Sequence, residues 1–349
     1  MNLNITLQPS GRTFATERDE TILSAAIRAS IGMPYGCKDG ACGTCKSRLL
    51  EGRVIHGAHQ SKALSDQEES DGFILPCCAT PQTDCVVEAR AVPGAGDFPV
   101  LKMPCRLITM GRPSNDVAVL KLQLAANQSF GYRAGQYVEF ILRDGARRSY
   151  SMANAPHTLG TPAAIELHIR HMPGGKFTDH VFGALKEKDI LRMEGPFGSF
   201  FLRQDSEKPI ILLASGTGFA PIKAIIEQLA HLQTKRDVTL YWGARVQADL
   251  YMHDWVLQQA AQMPNLHYVP VLSEAKPEHG WAGRMGFVHQ AVMQDFADMS
   301  GYQVYACGVP VMVESAQRDF IASCQLPVDE FYSDAFISEA DKHPKQALV

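Results

Sequence analysis

The pattern of apolar and polar residues changes twice along the chain and predicts three domains with a short linker. Alternation of apolar and polar residues predicts half-buried strands, and apolar residues three or four positions apart predict a helix. The N-terminal domain, residues 1–90, therefore reads as a small α+β unit, with two strands and a helix at residues 3–7, 12–16 and 21–30.

A segment rich in Gly and Pro, residues 91–99, is predicted to be the linker. Residues 100–204 then contain several short alternating segments separated by turn residues, at 117–124, 137–142 and 165–169. This spacing is typical of a small antiparallel β-barrel.

The third domain, residues 205–349, begins with the apolar run Pro209–Ala214 and continues with helical periodicity over residues 222–232. Two further buried strands are predicted at residues 238–242 and 303–306. Because strands alternate with helices, the pattern predicts a parallel α/β domain.

The most informative residues are cysteines. Cys37, Cys42 and Cys45 have the spacing C-x4-C-x2-C, and the pair Cys77–Cys78 follows downstream. This is the spacing of a plant-type 2Fe–2S cluster, which is held by four thiolates. Such a cluster transfers single electrons.

The glycines of the loop favour iron–sulfur over zinc. Gly36, Gly40 and Gly43 allow the sharp turns that wrap a cluster, and small neighbours let backbone N–H groups point at the sulfurs. A four-cysteine zinc site usually has two C-x2-C units, whereas here Cys42 and Cys45 form a single one.

The fourth cluster ligand is one of two adjacent cysteines. The pattern L-x-C-x-x-x-P, from Leu75 to Pro81, places Cys77 at the ligand position. Cys78 is then a packed thiol, the more common state of a free cysteine. The sequence predicts four metal ligands: Cys37, Cys42, Cys45 and Cys77.

Within the predicted barrel, the tetrad Arg148–Ser151 offers what a flavin dinucleotide needs. Arg148 supplies a cation for the pyrophosphate, Tyr150 an aromatic face for the isoalloxazine, and Ser151 a hydrogen-bonding group near flavin N5. An ordinary barrel strand with a surface arginine has the same four residues, so the tetrad alone does not decide.

Two glycine-containing loops are predicted to bind phosphate groups. Gly174 and Gly175 allow close backbone approach, and Thr178 begins a predicted helix whose N-terminus favours an anion. Ser215–Pro221 follows the apolar strand and opens the next predicted helix, as a dinucleotide loop must. Pro221 occupies the place of the third glycine of G-x-G-x-x-G and suits a first helical turn.

In this order, the cysteine motif, the tetrad, the glycine loops and the strand end at Cys307 resemble the ferredoxin–NAD(P)⁺ reductase superfamily. The resemblance covers the whole chain, in the form with an N-terminal plant-type ferredoxin. The segments Cys307–Val313 and Phe331–Phe336 most resemble CDP-6-deoxy-Δ3,4-glucoseen reductase-like proteins. The fold implied is a β-grasp ferredoxin, an antiparallel β-barrel flavin domain and a parallel α/β nucleotide-binding domain.

The resemblance also implies roles at matching positions. Ser151, Cys307 and Asp334 would form the hydride-transfer site, and the aromatic ring of Phe336 would cover the flavin. The implied cofactor-binding residues are Arg148, Tyr150, Ser151, His168, Ile169, Arg170, Gly174, Gly175, Lys176, Phe177, Thr178, Gly216, Thr217, Gly218, Arg245, Cys307, Gly308 and Phe336.

These cofactors predict the order NAD(P)H, FAD, 2Fe–2S cluster and external acceptor. Nicotinamide gives hydride, the cluster accepts one electron, and flavin does both. The expected partner is a separate oxygenase, hydroxylase or deoxysugar dehydratase component. The alternatives are a flavin reductase for small acceptors and an iron–sulfur redox sensor, although a sensor needs no hydride site.

The choice of nucleotides follows from fewer residues. A 2′-phosphate needs positive charge near the end of the second strand, where Arg245 is followed by the acidic Asp249, so NADH is favoured over NADPH. FAD is favoured over FMN because family members that use FMN generally carry the ferredoxin at the C-terminus.

Composition indicates the setting. Nine cysteines form no even framework and fit a reducing cytoplasm, and the N-terminus lacks a signal-peptide pattern. No apolar run approaches the roughly 18 to 20 residues of a membrane span. The net charge of −4 argues weakly against a nucleic-acid partner. We therefore expect a cytoplasmic protein without a membrane span.

Overall fold

The computed structural model describes residues 2–276 and 280–338, which form two compact units. One unit comprises residues 2–99 with 337–338, and the other comprises residues 100–336. Among the helices of these ranges, none combines the length and the apolar character that a membrane crossing requires. The predicted boundary near residue 204 lies inside the second unit, so the division into three domains stays a prediction.

The first unit is a mixed sheet with two short helices. Its strands are β1 (Leu3–Gln8), β2 (Arg12–Thr16), β3 (Ser47–Glu51), β4 (Val54–His56), β5 (Phe73–Ile74), β6 (Ala79–Pro81) and β7 (Cys85–Glu88), and its helices are α1 (Ile22–Arg28) and α2 (Asp66–Ser70). The main sheet has the order β2-β1-β7-β3-β5, with β1 and β7 parallel and the other neighbours antiparallel. Strands β4 and β6 form a separate antiparallel pair. The predicted β-grasp fold is confirmed.

Helix α2 was not predicted, because the acidic run from Asp66 to Asp71 lacks apolar periodicity. The helix is stabilised by hydrogen bonds at its N-terminus. The Ser65 side chain accepts a hydrogen bond from the Glu68 backbone N–H, and the Glu68 carboxylate accepts one from the Ser65 backbone N–H. This capping box is a sequence signal of the form S-x-x-E.

The predicted linker is part of the first unit and packs against the turn after α1. A Cβ atom at Gly32 would overlap the Val92 carbonyl oxygen, and one at Gly96 would overlap the Ser30 carbonyl oxygen. The backbone of the segment 91–99 therefore approaches the turn after α1 more closely than any other residue type would permit.

The N-terminal part of the second unit is a closed antiparallel barrel. Its strands are β8 (Leu101–Ser114), β9 (Val117–Leu124), β10 (Tyr137–Ile141), β11 (Arg147–Ser151), β12 (Ala164–Arg170) and β13 (Ile190–Phe197), with helix α3 (Lys176–Gly183) between β12 and β13. The order is β11-β10-β13-β8-β9-β12, and a bridge between Met152 and Leu167 joins the two edges. The strand predicted at residues 117–124 has these bounds.

The C-terminal part of the second unit is a parallel sheet with helices on both faces. Its strands are β14 (Ile210–Ser215), β15 (Val238–Ala244), β16 (Leu266–Leu272), β17 (Arg284–Met285), β18 (Gln303–Gly308) and β19 (Phe331–Ala335), and its helices are α4 (Phe219–His231), α5 (His253–Gln262), α6 (Val288–Asp295) and α7 (Pro310–Ser323). The order is β17-β16-β15-β14-β18-β19, and all neighbours are parallel.

The strand order reverses between β14 and β18. In sheets of this kind a ligand binds outside the carboxyl ends of the strands at the point of reversal. The loops that begin at Gly216 and Val309 leave the sheet at this point. The topology therefore brings the two sequence motifs of this region to one place.

Candidate functional site

The cluster loop has the backbone geometry that its glycines were predicted to provide. Gly40 and Gly43 both have φ of +74°, which glycine adopts readily, whereas Gly36 does not take the left-handed region. A Cβ atom at Gly40 would lie 2.7 Å from the Cys78 Sγ atom and 2.7 Å from the His59 Cβ atom. Position 40 is thus closed to any side chain.

The four predicted ligands meet as two pairs of sulfur atoms. The Sγ atoms of Cys37 and Cys42 are 3.1 Å apart, and those of Cys45 and Cys77 are 3.3 Å apart. Within the described residues, no three or more Cys, His, Asp or Glu side chains converge as they would around a single metal ion. Two pairs suit a dinuclear cluster, in which each iron binds two of the four cysteines, better than a mononuclear zinc site.

Backbone N–H groups point at these sulfurs. The Cys42 N–H donates to Cys37 Sγ at 3.3 Å, the Thr44 N–H donates to Cys42, and the Gly40 N–H donates to Cys77. The hydrogen bond from the Cys37 thiol, together with those from Thr44, lowers the pKa of Cys42. Donors of this kind stabilise thiolates, so the donor set fits an iron–sulfur cluster.

Cys78 lies beside this set. Its Sγ atom is 3.6 Å from Cys77 Sγ, and it is only partly buried, whereas Cys45 and Cys77 are both buried. The pairing of Cys77 with Cys45 favours Cys77 as the fourth ligand, and the ligand assignment stays a prediction.

In the second unit, the loop after β14 packs directly against the end of β18. A Cβ atom at Gly218 would overlap the Cys307 carbonyl oxygen. The Ser215 hydroxyl accepts a hydrogen bond from the Val309 backbone N–H at 3.0 Å, and Gly216 has φ of +52°. The predicted nucleotide loop and the predicted Cys307 motif therefore form one surface at the reversal point.

Ser151, Cys307 and Asp334, predicted as the hydride-transfer residues, are brought together. The Ser151 hydroxyl donates to the Asp334 carboxylate at 3.3 Å across 183 positions of sequence. Cys307 and Asp334 are register partners on β18 and β19. Burial and the nearby Asp334 carboxylate raise the pKa of the Cys307 thiol, which is fully buried.

The aromatic ring of Tyr150 is supported from behind by other rings. Its centroid lies 5.1 Å from that of Phe177, which in turn stacks on Phe140 at 4.8 Å. Burial raises the pKa of Tyr150. Phe177 is itself buried and supports the Tyr150 ring, and its predicted contact with the cofactor stays a prediction.

The predicted phosphate turn before α3 is partly closed on itself. Gly174 has φ of +82° with open space around it, as a backbone contact with phosphate requires. The Thr178 hydroxyl, however, donates to the Met172 carbonyl at 2.8 Å, and the Asp179 carboxylate accepts from the Gly174 N–H at 3.0 Å. Lys176 is paired with Asp144 at 2.5 Å. The helix begins at Lys176, two residues earlier than predicted.

Two predicted cofactor-binding arginines share a carboxylate near the nucleotide loop. Arg170 Nε donates to the Asp116 carboxylate at 2.9 Å, and the Arg245 guanidinium lies 3.8 Å from the same carboxylate. A Cβ atom at Gly216 would lie 2.6 Å from the Arg170 guanidinium. Arg245 also pairs with Asp249 at 2.9 Å, which raises the pKa of Arg245.

Three further predicted positions are buried or partly buried. Ile169 is fully buried in the barrel core. His168 is buried between Tyr251 and Glu166, at 2.8 and 3.0 Å, and burial lowers its pKa. The partly buried Phe336 donates its backbone N–H to the Gly308 carbonyl at 2.8 Å, which places it beside the Cys307 motif.

Sequence reasoning missed a buried charge on α4. Lys223 is 4% exposed and contacts Glu166 and Glu227. A signal was present, since Lys223 interrupts an apolar stretch of the helix that was predicted over residues 222–232.

Three family models match the chain in the order of its motifs. They are described as a 2Fe-2S iron-sulfur cluster binding domain over residues 5–82, an oxidoreductase FAD-binding domain over residues 104–202, and an oxidoreductase NAD-binding domain over residues 212–318. The predicted set of cofactors is therefore confirmed at the level of domains.

Similar proteins extend over almost the whole chain. CDP-6-deoxy-L-threo-D-glycero-4-hexulose-3-dehydrase reductase of Yersinia pseudotuberculosis is 40% identical over 337 residues, 97% of this chain and 99% of that protein. Terephthalate 1,2-dioxygenase reductase component 2 of Comamonas is 32% identical over 345 residues, 98% of this chain and 100% of that protein. The crystal structure of the Amycolatopsis reductase GcoB matches with a TM-score of 0.79 and 32% identity, covering 96% and 98% of the two chains.

Proposed function

This chain is an iron–sulfur flavoprotein of the ferredoxin–NAD(P)⁺ reductase superfamily, and on that premise we propose that it takes hydride from NADH and delivers single electrons to a separate protein. One observation carries the proposal. The same chain brings Ser151 and Asp334 together at the reversal point of its parallel sheet, where the hydride-transfer site is predicted. It also brings the four predicted cluster cysteines together as two pairs.

A flavin held by the barrel supplies the conversion between a two-electron donor and a one-electron acceptor. The chain's own residues do the positioning. Tyr150, supported by Phe177, presents a ring on β11, and Arg148 on the same strand supplies the cation for a pyrophosphate. Ser151 ends this strand at the place where it meets Asp334.

The groups at the hydride site have defined states. The Asp334 carboxylate accepts a hydrogen bond from the Ser151 hydroxyl, so it fixes the direction of that hydroxyl. The raised pKa keeps Cys307 a neutral thiol, which places no charge beside a nicotinamide ring. We assign Ser151 and Asp334 to orientation and Cys307 to the wall of the nicotinamide site.

We favour NADH over NADPH because the positive charge of Arg245 is already compensated. Asp249 lies 2.9 Å and Asp116 lies 3.8 Å from its guanidinium. A 2′-phosphate brought to Arg245 would also face these two carboxylates. A higher kcat/KM with NADPH than with NADH would contradict this assignment.

The proposed acceptor is an oxygenase, hydroxylase or deoxysugar dehydratase component, since the named relatives serve both dioxygenase and dehydrase systems. We place the protein in the cytoplasm, because its nine cysteines, all inside the described ranges, form no disulfide.

The decisive experiment is an anaerobic titration with NADH, followed by visible absorbance and low-temperature EPR. We expect the flavin absorbance to bleach and a 2Fe–2S signal to appear. Bleaching without an EPR signal would contradict the proposal and favour a flavin reductase for small acceptors. Absence of bleaching would favour an iron–sulfur sensor. Sustained NADH-dependent reduction of cytochrome c, lost when the cluster is removed, separates turnover from sensing.

A further inference from the structure

Helix α4 contacts the backbone that follows the flavin tetrad. Three of its residues, one turn apart, meet three alternate positions of the segment 153–157. The pairs are Lys223 with Ala153, Glu227 with Ala155, and His231 with His157. We call this line of contacts the α4 seam. It joins the helix that begins at the nucleotide loop to the chain that leaves β11.

Lys223 is the buried centre of the seam. Its Nζ atom donates to the Ala153 carbonyl at 3.2 Å and to the Glu227 carboxylate at 2.6 Å, and it lies 3.2 Å from the Glu166 carboxylate on β12. It also lies 5.1 Å from the ring centroid of Trp255. A single ammonium group thus connects the barrel, α4 and α5.

Glu227 holds the next point. One carboxylate oxygen accepts from Lys223, and the other accepts from the Ala155 backbone N–H at 2.8 Å. The Lys223 ammonium group binds the Ala153 carbonyl, and the Glu227 carboxylate binds the Ala155 N–H. Together they fix both the position and the direction of the segment. At the exposed end, the rings of His157 and His231 stack at 4.0 Å.

The barrel grips the same segment from the other side. The Tyr132 hydroxyl donates to the Asn154 carbonyl at 2.8 Å, and the Asn154 side chain accepts from the Glu166 backbone N–H at 2.8 Å. The segment is therefore a rigid connection between the barrel and α4. It begins two residues after Ser151.

These contacts define a short path between the two halves of the hydride site. Lys223 lies five residues after Gly218, and Ala153 lies two residues after Ser151. A displacement of about 1 Å between reacting groups can cost about 100-fold in rate. We propose that Lys223 and Glu227 are positioning residues that set the distance between the nucleotide loop and the flavin strand for hydride transfer. This inference rests on the proposed function.

The chemistry of the seam supports a positioning role over a stabilising one. Burying an ion pair costs desolvation energy that the attraction between its charges often does no more than offset, and well-packed apolar residues are frequently as stable. The charged pair, by contrast, binds two named backbone atoms with directional hydrogen bonds. An apolar replacement would fill the space without fixing those atoms.

The test uses the holoenzyme and three graded changes. Lys223→Met with Glu227→Met replaces the pair by apolar side chains of similar length, Glu227→Gln keeps an acceptor for the Ala155 N–H, and Lys223→Arg keeps the cation. Lys208→Met is the control for the loss of a paired lysine at a more exposed position of the same unit, because Lys208 pairs with Glu330 at 2.7 Å and its side chain is 42% exposed. Flavin and iron content and Tm are measured for all proteins.

The first readout is the limiting rate of flavin bleaching by NADH in anaerobic stopped-flow, with the NADH concentration at half saturation. We expect the double variant to lose about 10- to 100-fold in limiting rate with little change in half saturation. The single variants Glu227→Gln and Lys223→Arg should retain most of the wild-type rate, and Lys208→Met should match the wild type. An unchanged rate in the double variant would overturn the inference.

The second readout does not depend on turnover. Amide hydrogen exchange of peptides covering residues 153–157 should accelerate in the double variant and stay slow in Glu227→Gln and Lys208→Met. A slow rate of bleaching with unchanged exchange would also count against the inference. If the wild type itself fails to bleach with NADH, the proposed function fails instead, so the two failures are distinguishable.

Discussion

The cluster loop draws three of its four predicted ligands from residues 37–45, whereas the hydride site joins Ser151 to Asp334 across 183 positions. The first region depends on local backbone geometry, in which Gly40 and Gly43 take left-handed conformations and N–H groups turn towards sulfur. The second depends on sheet topology, because β18 and β19 bring Cys307 and Asp334 into register.

This difference separates two kinds of fragility. A binding site built within one loop is lost when one of its own residues is changed, while the rest of the fold is unaffected. A site assembled from distant strands fails when the spacing between elements changes, even if its own side chains are intact. Each of the following predictions tests one side of this comparison.

The largest effect is expected from Cys77→Ser. Because Cys77 pairs with Cys45, its loss should remove the cluster and lower NADH-dependent cytochrome c reduction by about 100-fold or more, while NADH still bleaches the flavin. Cys78→Ser is the matched control and should keep its iron content. If Cys78→Ser lost the cluster and Cys77→Ser retained it, the ligand assignment would be reversed.

Gly218→Ala should break the other region. The added Cβ would overlap the Cys307 carbonyl oxygen and push the nucleotide loop away from β18. We expect flavin bleaching by NADH to slow by about 10- to 100-fold, with iron content unchanged. Gly301→Ala, which adds a Cβ with nothing within 4 Å, should behave as wild type. Normal bleaching in Gly218→Ala would show that this contact does not define the site.

A smaller effect is expected at the Ser151–Asp334 hydrogen bond. Hydrogen bonds to charged groups contribute about 1.5–3 kcal/mol. At 3.3 Å this bond is long, so the lower end applies and Ser151→Ala should slow flavin bleaching by about 10-fold. Asp334→Asn keeps an acceptor oxygen and should lose less. The check is the limiting rate in stopped-flow, and equal losses in the two variants would mean that the charge of Asp334, rather than the orientation of Ser151, matters.

The smallest effect concerns acid stability. Burial raises the pKa of Glu166, but the hydrogen bond with His168 and the charge of Lys223 outweigh it and bring the pKa to about 2, below the ordinary 4.5. A lowered pKa contributes stability above pH 4.5 that is lost as pH falls towards 2. Glu166→Gln should therefore lower Tm at pH 7 by about 2 to 6 °C and show a weaker fall between pH 5 and 3.

Glu68 in the first unit, which contains the cluster loop, provides the comparison for the effect of burial on acid stability. Its hydrogen bond with Lys46 brings its pKa to about 2 as well, but its side chain is 38% exposed, against 24% for Glu166. Solvent screening should make Glu68→Gln nearly neutral for Tm. A larger effect from Glu68→Gln than from Glu166→Gln would contradict the difference in burial.

Much of the fold follows from local patterns. Apolar alternation predicted β9 with its bounds, and the apolar run before Ser215 predicted β14 within one residue. Helix α2 was not predicted from the sequence, because its stability comes from a capping box rather than from an apolar face. The α4 seam was not predicted, because periodicity places Lys223 on a helix but does not show which carboxylates and carbonyls surround it.

The cysteine spacing of the cluster loop and the strand–loop–helix at Ser215–Pro221 could be read from the chain alone, because they depend on residue type and on spacing within short segments. The order of the cofactors followed from the resemblance to the reductase superfamily and from the chemistry of the cofactors it implies. The contacts of Ser151 with Asp334, of Gly218 with Cys307 and of Lys223 with Ala153 became visible only in the folded chain. Such contacts join residues whose separation along the chain says nothing of their distance in space, because strand order and helix packing fix that distance.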